Sequence, residues 1–286
     1  MIYARIMLNE VSRKRGAMVI VFLFVLLSAL LVAGGTSLIV ELNAALDRLM
    51  EAAQAPHYVQ MHAGQIDEEG VTAWAEGRDD IEAYQIAEMV TVDGSQLFLG
   101  ESEIPEAASV MDISFVRQNS RFDFLLDSQN EVAQVGPGEV GVPVYFARES
   151  GVGTGDTVTV KKEGYLREYT VATVIRDAQM NPAIVHSKRF LLNPLDYREL
   201  REEFGEREYL IEFRLSDPAE IEAFGKAYQE AGLPSRGPAV DHQLFKLLNG
   251  LSDGIVALVV ILLSLLLMVI AILCLRFTIL ATVEED

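Results

Sequence analysis

The stretch "GAMVIVFLFVLLSALLVAGGTSLIV", residues 16–40, contains no charged residue. A second uncharged stretch, "GIVALVVILLSLLLMVIAILCL", occupies residues 254–275. A helix needs about 20 apolar residues to cross the hydrocarbon core of a bilayer. Only helices and closed barrels can cross that core with every backbone polar group hydrogen-bonded. The two stretches therefore predict transmembrane helices over residues 16–41 and 250–276.

The alternative for the first stretch is a cleaved signal peptide. Its apolar run exceeds the roughly 7–15 residues of a signal peptide, and Gly34-Gly35-Thr36 is a poor cleavage sequence. A retained helix is therefore favoured.

The preceding residues, 1–15, carry apolar and polar side chains on different sides of a helical wheel, which predicts an amphipathic entry helix on the inner leaflet. A disordered basic tail is the alternative.

The flanking charges predict the orientation in the membrane. Four basic residues precede the first helix, Arg5, Arg13, Lys14 and Arg15, and Arg276 follows the second. Positively charged flanks stay in the cytoplasm. We therefore expect a multi-pass protein of the cell membrane with both termini in the cytoplasm and residues 42–253 outside.

The segment predicted to lie outside is strongly acidic. It holds 37 acidic and 18 basic residues, which gives a net charge of −19. Such a charge argues against a nucleic-acid partner and fits solubility or adaptation to the medium better than a specific site.

The single cysteine of the chain, Cys274, lies in the second apolar stretch. The segment therefore has no disulfide framework, and a packed core must stabilise it.

The two ends of this segment have the same order of elements. Strand, helix and strand patterns fall within residues 57–94 and recur within residues 208–240, each next to an apolar stretch. Together, residues 42–99 and 208–249 predict a membrane-proximal α/β subdomain with one mixed sheet. The first transmembrane helix is expected to continue through residues 41–55, because Pro56 is the first residue that stops it.

Residues 100–207 predict an inserted, β-rich subdomain. The segments "DTVTVKK" and "REYTVATVI" alternate as strands do and are joined through Glu163-Gly164, which predicts a hairpin. Residues 194–205 form a polar helical pattern. The predicted fold class is an α+β exported domain between two transmembrane helices.

No pattern for catalysis or cofactor binding stands out. The glycine-rich run from Gly151 to Asp156 lacks the Gly-Lys-Ser/Thr of a phosphate-binding loop and leads into a strand pattern. The four histidines have no zinc-ligand spacing, and no nucleophile, histidine and acid set is evident. We expect no catalytic residue, no metal ion and no cofactor, and hence no enzyme activity in this chain.

Both apolar stretches carry a stripe of small residues, which allow membrane helices to approach closely. The predicted helix-packing residues are Ala29, Ala33 and Ser37 in the first stretch and Gly250, Gly254, Ala257, Ser264 and Ala271 in the second. Chance in a sequence rich in small residues is the alternative. The stripes predict that the chain packs against more helices than it contains.

The order of several motifs resembles the FtsX-like (MacB/LolE-type) permeases of ABC transporters. These motifs are "ARIMLNEVSRKRG", "VPVYFARESGVGTGDTVTV", "YTVATVIRD", "MNPAIVHSKRFLL" and the exit "LRFTILATVEED". The resemblance spans nearly all of the chain and implies the N-terminal part of a longer permease with a MacB-like periplasmic core domain. In this family a separate ATPase moves the membrane helices, and the exported domain relays the motion.

The resemblance also implies partners. They are a separate ABC ATPase subunit, the remaining permease half or a second permease copy, and membrane lipids. Residues 277–286 would begin the cytoplasmic loop that contacts the ATPase, with Arg276, Glu284, Glu285 and Asp286 as the ATPase-facing residues. The helical extension 41–55 is the candidate for an element with two states, which such coupling requires.

Two other classes of protein share this topology. One is a receptor or sensor with an exported ligand domain between two helices, and the other is a membrane-anchored assembly module. Further hydrophobic spans after residue 286 would favour a permease, whereas heptads and a kinase region would favour a sensor.

Overall fold

The computed structural model describes residues 15–106, 109–181 and 185–283, without the side chains of residues 15–18, 20–21, 249–257, 275 and 278–283. The predicted entry helix, residues 1–15, therefore lies almost wholly outside the described part. The chain divides into two compact units. The helical unit is Met1–Ala45 with Asp253–Asp286, and the sheet unit is Leu46–Ser252.

Two long helices each contain residues of both units. Helix α1 is Arg15–Ala52 and helix α6 is His242–Val283. As predicted, α1 continues past its uncharged run and ends just before Pro56, where Gln54 adopts a φ of 50°. Helix α6 starts after Asp241, whose Oδ1 accepts a hydrogen bond of 2.7 Å from the Leu244 N–H. This bond satisfies one of the free donors at the helix start.

The sheet unit contains one sheet of ten strands. They are β1 Tyr58–Ala63, β2 Ile81–Val92, β3 Leu97–Leu99, β4 Asp112–Arg117, β5 Glu139–Pro143, β6 Thr157–Lys162, β7 Tyr165–Ile175, β8 Ser187–Leu192, β9 Arg207–Leu215 and β10 Ala239–Asp241. Their order across the sheet is β10-β1-β9-β2-β4-β8-β5-β7-β6-β3. The pairs β4–β8 and β5–β7 are parallel, and the other pairs are antiparallel.

Four strands at one end form two interleaved strand–helix–strand units, as the sequence predicts. Helix α2, Glu68–Glu76, connects β1 to β2, and helix α5, Ile221–Glu230, connects β9 to β10. In the order β10-β1-β9-β2, each connected pair of strands has one strand of the other unit between its members. This is a split β-α-β arrangement. Its three strand pairs are all antiparallel, and the parallel pairs that make the whole sheet mixed lie outside it.

The two helices of this arrangement pack on the sheet through an aromatic core. Asp67 Oδ1 accepts from the Gly70 N–H at 3.0 Å and caps α2. Residues 218–220 form a 3-10 turn, and α5 begins directly after it at Ile221. The buried residues of this core are Tyr58, Val71, Ala75, Ile211, Phe213, Leu215, Ile221, Phe224 and Tyr228. Edge-to-face ring contacts, such as Phe213–Phe224 at 5.1 Å, hold the helices in place.

The predicted inserted segment shares this sheet. Strand β4 pairs with β2, and β3, which precedes residue 100, pairs with β6 at the far edge. The predicted hairpin is β6–β7, with Gly164 at a φ of 80° in the turn. At residue 100, where the sequence predicts the start of the inserted subdomain, backbone pairing continues, and buried cores contain residues from both sides. Helix α3 is Val144–Glu149, and helix α4 is Pro194–Glu203 within the predicted 194–205.

A further hydrophobic core, which we call the anchor core, contains the C-terminal end of α1 and the N-terminal end of α6. Leu49 and Met50 from the last turns of α1 and Phe245 from the first turns of α6 are buried in it. They lie with Met89, Leu191 and Leu210 from strands β2, β8 and β9. Lys246 Nζ lies 2.7 Å from Asp47 Oδ1, which joins the two helices directly. Burial of large apolar side chains makes both helix ends part of the folded sheet unit.

Candidate functional site

In the helical unit, α1 has the length and composition of a membrane span. Within its segment Phe22–Ala52, a stretch of 18 residues has a mean hydropathy of 2.4. In α6 the apolar segment with described side chains, Leu258–Cys274, is shorter than a span. The rest of the predicted second span includes residues 250–257, whose side chains are outside the description. Leu30 and Leu262 are 62% and 56% exposed, so these faces require lipid or another helix around them.

Small residues mediate the contact between the two long helices. Ser28 Oγ donates a hydrogen bond of 2.7 Å to the main-chain oxygen of Ser264, and Ser264 Oγ donates to the Val260 oxygen at 2.6 Å. The side chains of Ser28 and Ser264 are 2% and 0% exposed. A hydroxyl can reach a carbonyl of another helix only if the two backbones approach closely, which small side chains permit.

Some residues of the predicted small-residue stripes are buried in the structure, and others are exposed. Ser264 and Ala271 are buried, whereas Ala29, Ala33 and Ser37 are exposed. The side chains of Gly250, Gly254 and Ala257 lie outside the description. In α1 the buried small residues are Ser28 and Gly35, one heptad apart, and the sequence analysis did not select them. The role of the exposed stripe as a face for a further helix stays a prediction.

The predicted ATPase-facing residues lie at the end of the chain. Arg276 is an exposed residue of α6. Glu284, Glu285 and Asp286 lie outside the described residues, so their role as ATPase contacts also stays a prediction.

The sheet unit contains a polar cleft of about 510 Å³. One wall is the loop of residues 117–121, which follows β4, and the opposite wall is formed by residues 84–88 of β2. Asp123 and Arg189 lie at its base, and Glu68 of α2 lies at its margin. Gln118 holds the loop, since its Nε2 donates to the oxygens of Leu125 and Ala133 at 2.8 and 2.9 Å.

Beneath the cleft lies a buried ionic network centred on Arg189. Its Nε and Nη2 donate to the two carboxylate oxygens of Asp177 at 2.6 and 2.7 Å, and its Nη1 donates to Asp123 at 2.7 Å. All three side chains are nearly inaccessible to solvent. Burial by itself raises the pKa of Asp177, but the Arg189 guanidinium outweighs burial and lowers that pKa below its usual value. Loss of one partner would leave an uncompensated buried charge.

The end of α1 is bonded to the segment that carries Asp123. The Asp123 N–H donates to the Gln54 oxygen at 3.1 Å, and the Phe124 N–H donates to the Ala53 oxygen at 2.8 Å. Asp123 itself has a φ of 54°, a conformation that aspartate adopts more readily than most residues. The two residues that follow α1 are therefore hydrogen-bonded to the segment whose Asp123 carboxylate binds Arg189.

A second buried carboxyl, that of Glu212, lies beside this network. Glu212 is on β9 directly opposite Gln85 of β2 and accepts from the amides of Gln85 and Gln179 at 2.6 and 3.1 Å. Burial, followed by the negative charge of Asp123, raises the pKa of Glu212 well above its usual value. Burial therefore favours the protonated form of this carboxyl in the folded protein.

We expect Glu212→Gln to stabilise the sheet unit at neutral pH. An unfolded chain ionises Glu212 near its ordinary pKa of about 4.3, so the wild type loses stability as the pH rises above that value, by at most about 1.4 kcal/mol per pH unit. Glutamine supplies similar hydrogen-bonding groups without titrating. Urea unfolding of the full chain, followed by the fluorescence of its only tryptophan, Trp74, measures this. A stabilisation that does not grow between pH 5 and pH 7.5 would contradict a protonated Glu212.

The sequence analysis did not identify this network. Its one local signal is "SKRFLL", where Lys188 and Arg189 interrupt an otherwise apolar strand. The four histidines, which lack zinc-ligand spacing in the sequence, lie elsewhere. His62 is buried, with Nε2 2.8 Å from the Gln65 oxygen, and the rings of His57 and His242 are 5.6 Å apart. Among the described residues no group of three or more metal-ligating side chains comes together.

The chain has likenesses among solved structures only at low identity. No family model and no curated protein sequence matches it. The periplasmic region of MacB from Actinobacillus actinomycetemcomitans is 11% identical, with a TM-score of 0.38, over 69% of this chain and 94% of that one. A domain of a candidate permease protein from Porphyromonas gingivalis is 14% identical, with a TM-score of 0.35, over 62% of this chain and 84% of that one.

A third likeness is a candidate lipoprotein from Bacillus anthracis, at 12% identity and a TM-score of 0.35, over 64% of this chain and 95% of that one. The α+β fold class expected from the sequence is confirmed by the observed helices and mixed sheet. None of the likenesses identifies what the chain does.

Proposed function

We propose that this chain is a membrane component of an ABC transporter of the FtsX/MacB type, with both termini in the cytoplasm and the sheet unit outside. A separate ATPase supplies the energy, and the chain itself has no catalytic activity. The observation that carries the proposal is the continuity of α1 and α6. Each runs without a break from the apolar helical unit into the sheet unit, where its end is buried.

This construction suits the transmission of a movement. Leu49 and Met50 of α1 are 4% and 8% exposed, and Phe245 of α6 is 5% exposed, all in the anchor core. Close-packed cores deform little and therefore pass displacement on to their neighbours. A shift or rotation of either helix would displace the anchor core rather than be absorbed in a flexible linker. An ordinary membrane anchor needs no such packing.

The route continues from the anchor core to the cleft. The carbonyls of Ala53 and Gln54, the two residues that follow α1, accept hydrogen bonds from the N–H groups of Phe124 and Asp123. Asp123 in turn binds Arg189 at the base of the cleft. We propose that residues 41–55 and this segment are the element whose two arrangements couple the membrane to the exported surface. Its output is export, extraction of a cargo or a signal, with the remaining permease half or a second copy and lipids around the helices.

The salt bridge between Asp47 and Lys246 offers a direct test. Both residues are changed to cysteine in a Cys274→Ser background, and a short bifunctional thiol reagent joins the two helices. The complex of full chain, remaining permease part and ATPase is assembled in nanodiscs. If α1 and α6 must move relative to each other, joining them should reduce ATP hydrolysis stimulated by the permease severalfold.

The control joins two positions within one helix. Lys226 and Glu230 of α5 form an exposed ion pair at 3.7 Å, and linking cysteines there should leave ATP hydrolysis unchanged. Equal ATP hydrolysis with and without the Asp47–Lys246 link would exclude relative movement of the helices. Failure of any ABC ATPase to associate with the chain would favour the receptor or assembly module over the permease.

A further inference from the structure

Two arginines of the polar cleft have no carboxylate partner. Arg117 and Arg121 both line the cleft and are exposed, and neither forms an ion pair with any residue that the structure describes. The predicted exported segment has about twice as many acidic as basic residues. Both guanidinium groups come from one short stretch of the chain, and both line the same cleft.

Arg117 is held in an orientation that leaves its donors available. It is the last residue of β4, and its guanidinium carbon lies 5.0 Å from the centre of the Tyr197 ring. Tyr197 is buried and donates to the Glu88 main-chain oxygen at 3.1 Å, so the ring is fixed. A guanidinium stacked on an aromatic ring keeps its N–H groups free in its own plane, where they can bind a carboxylate or phosphate with two parallel hydrogen bonds.

Arg121 is held at the opposite end of the same loop. Its Nη1 donates to the Tyr84 main-chain oxygen at 3.2 Å, which brings its guanidinium to the β2 wall. The loop between the arginines is fixed by Gln118, and by Asn119, whose Nδ2 donates to the Asp123 oxygen at 3.0 Å. The two cationic groups thus line a preformed cleft, and little ordering is required when a ligand binds.

The remaining charges of the cleft are largely compensated. Glu88 is bonded by Arg201 at 2.8 Å and lies 3.7 Å from Arg207. At the base, Asp123 and Asp177 share Arg189, and Lys188 interacts with Asp177. Glu68 at the margin is the one lining carboxylate in no ion pair among the described residues. The free charge facing the cleft is therefore positive.

We propose that this cleft binds a small anionic molecule through one or two carboxylate or phosphate groups held by Arg117 and Arg121. A volume of about 510 Å³ fits a molecule of this size. Neutral polar groups of the same walls, such as Ser120 and Thr72, provide hydrogen bonds to the rest of the molecule. The site does not depend on the transporter assignment, because it involves only the sheet unit.

Equilibrium dialysis tests this site with inorganic phosphate and succinate as probes. The full chain is kept in nanodiscs of neutral lipid, so that no anionic headgroup competes. We expect saturable binding of one equivalent per chain for at least one probe. Loss of a charge-assisted hydrogen-bonding group in Arg117→Gln or Arg121→Gln should weaken binding about tenfold or more. Arg117→Lys should lie between wild type and Arg117→Gln, because lysine keeps the charge without the planar fork.

The matched control is Arg148→Gln, an equal charge change at an exposed arginine outside the cleft. It should bind within about twofold of the wild type, as expected for a distant surface charge. Circular dichroism verifies that each variant is folded. Absence of saturable binding of both probes by the wild type, or equal weakening by Arg148→Gln and Arg117→Gln, overturns the proposal. Competition by an anionic phospholipid in the nanodisc would identify a lipid headgroup as the source of the same chemistry.

Discussion

Replacing Arg189 by methionine should lower the free energy of unfolding of the sheet unit by about 3–5 kcal/mol, the usual result of removing one partner from a buried ion pair. The guanidinium makes bonds of 2.6 and 2.7 Å to Asp177 and one of 2.7 Å to Asp123. Without it both carboxylates remain buried with no positive partner at that point. Urea unfolding of the full chain, monitored by Trp74 fluorescence, measures the change.

The expected pH dependence follows from the pKa of Asp177. In the wild type this pKa is lowered, so the stabilisation by Arg189 is present above the ordinary value of about 3.9 and is lost as the pH falls through the lowered folded value. In Arg189→Met the guanidinium no longer opposes burial, so the pKa of Asp177 should rise, although the N–H groups of Gln179 and Met180 still donate to its carboxylate. The difference between wild type and variant should therefore be greatest near neutral pH and diminish towards pH 4.

Two further variants separate charge from packing. Arg198→Met removes an exposed arginine of α4 and should change stability by less than about 0.5 kcal/mol. Combining Arg189→Met with Asp123→Asn and Asp177→Asn removes the uncompensated charges and should recover much of the loss, because neutral replacements of buried ion pairs are often tolerated. A triple variant as unstable as Arg189→Met would show that packing, rather than charge, is the cause.

Replacing Ser264 by phenylalanine should separate α1 from α6. Ser264 is fully buried, and its main-chain oxygen accepts the Ser28 hydroxyl. Overpacking at such a contact costs about 1–3 kcal/mol, and in lipid no hydrophobic force compensates for it. The paired state of the helices should become about 5- to 150-fold less populated.

The reactivity of Ser28→Cys toward a lipid-soluble thiol reagent, in a Cys274→Ser background, reports this separation. Ser28 is only 2% exposed, so its replacement by cysteine should react slowly in the parent chain and much faster with Ser264→Phe. Leu262→Phe and Leu266→Phe are the controls, since these leucines are 56% and 55% exposed. If all three phenylalanine variants raise the reactivity equally, the small residues of α6 are there by chance.

The sequence by itself determined the features that depend on local pattern. Uncharged runs longer than 20 residues indicated both long helices, and Pro56 set the limit of α1. Alternating residues and Glu163-Gly164 identified the β6–β7 hairpin, and the recurring order of patterns predicted two strand–helix–strand units, whose interleaving only the structure showed. Each of these signals lies within one short window, because helical and extended backbones impose their own periodicity on the side chains.

The sequence alone did not identify which of two neighbouring faces of α1 is buried. The sequence favoured Ala29, Ala33 and Ser37 in α1, whereas the buried small residues are Ser28 and Gly35. Adjacent residues of a helix differ by about 100° in direction, so two stripes of small residues only one position apart face different neighbours. Composition alone cannot assign either stripe to a partner, because lipid and another helix are equally apolar surroundings.

Only the tertiary structure decided the cleft and its ionic network. Arg189 lies 12 residues from Asp177 and 66 from Asp123, and Glu212 meets Gln85 because β9 pairs with β2. The tertiary structure also places strands from residues 42–99, 100–207 and 208–249 in one ten-stranded sheet. Side chains from separate strands become neighbours through strand order and register. These depend on the burial of the whole sheet, so no single segment of the sequence specifies them.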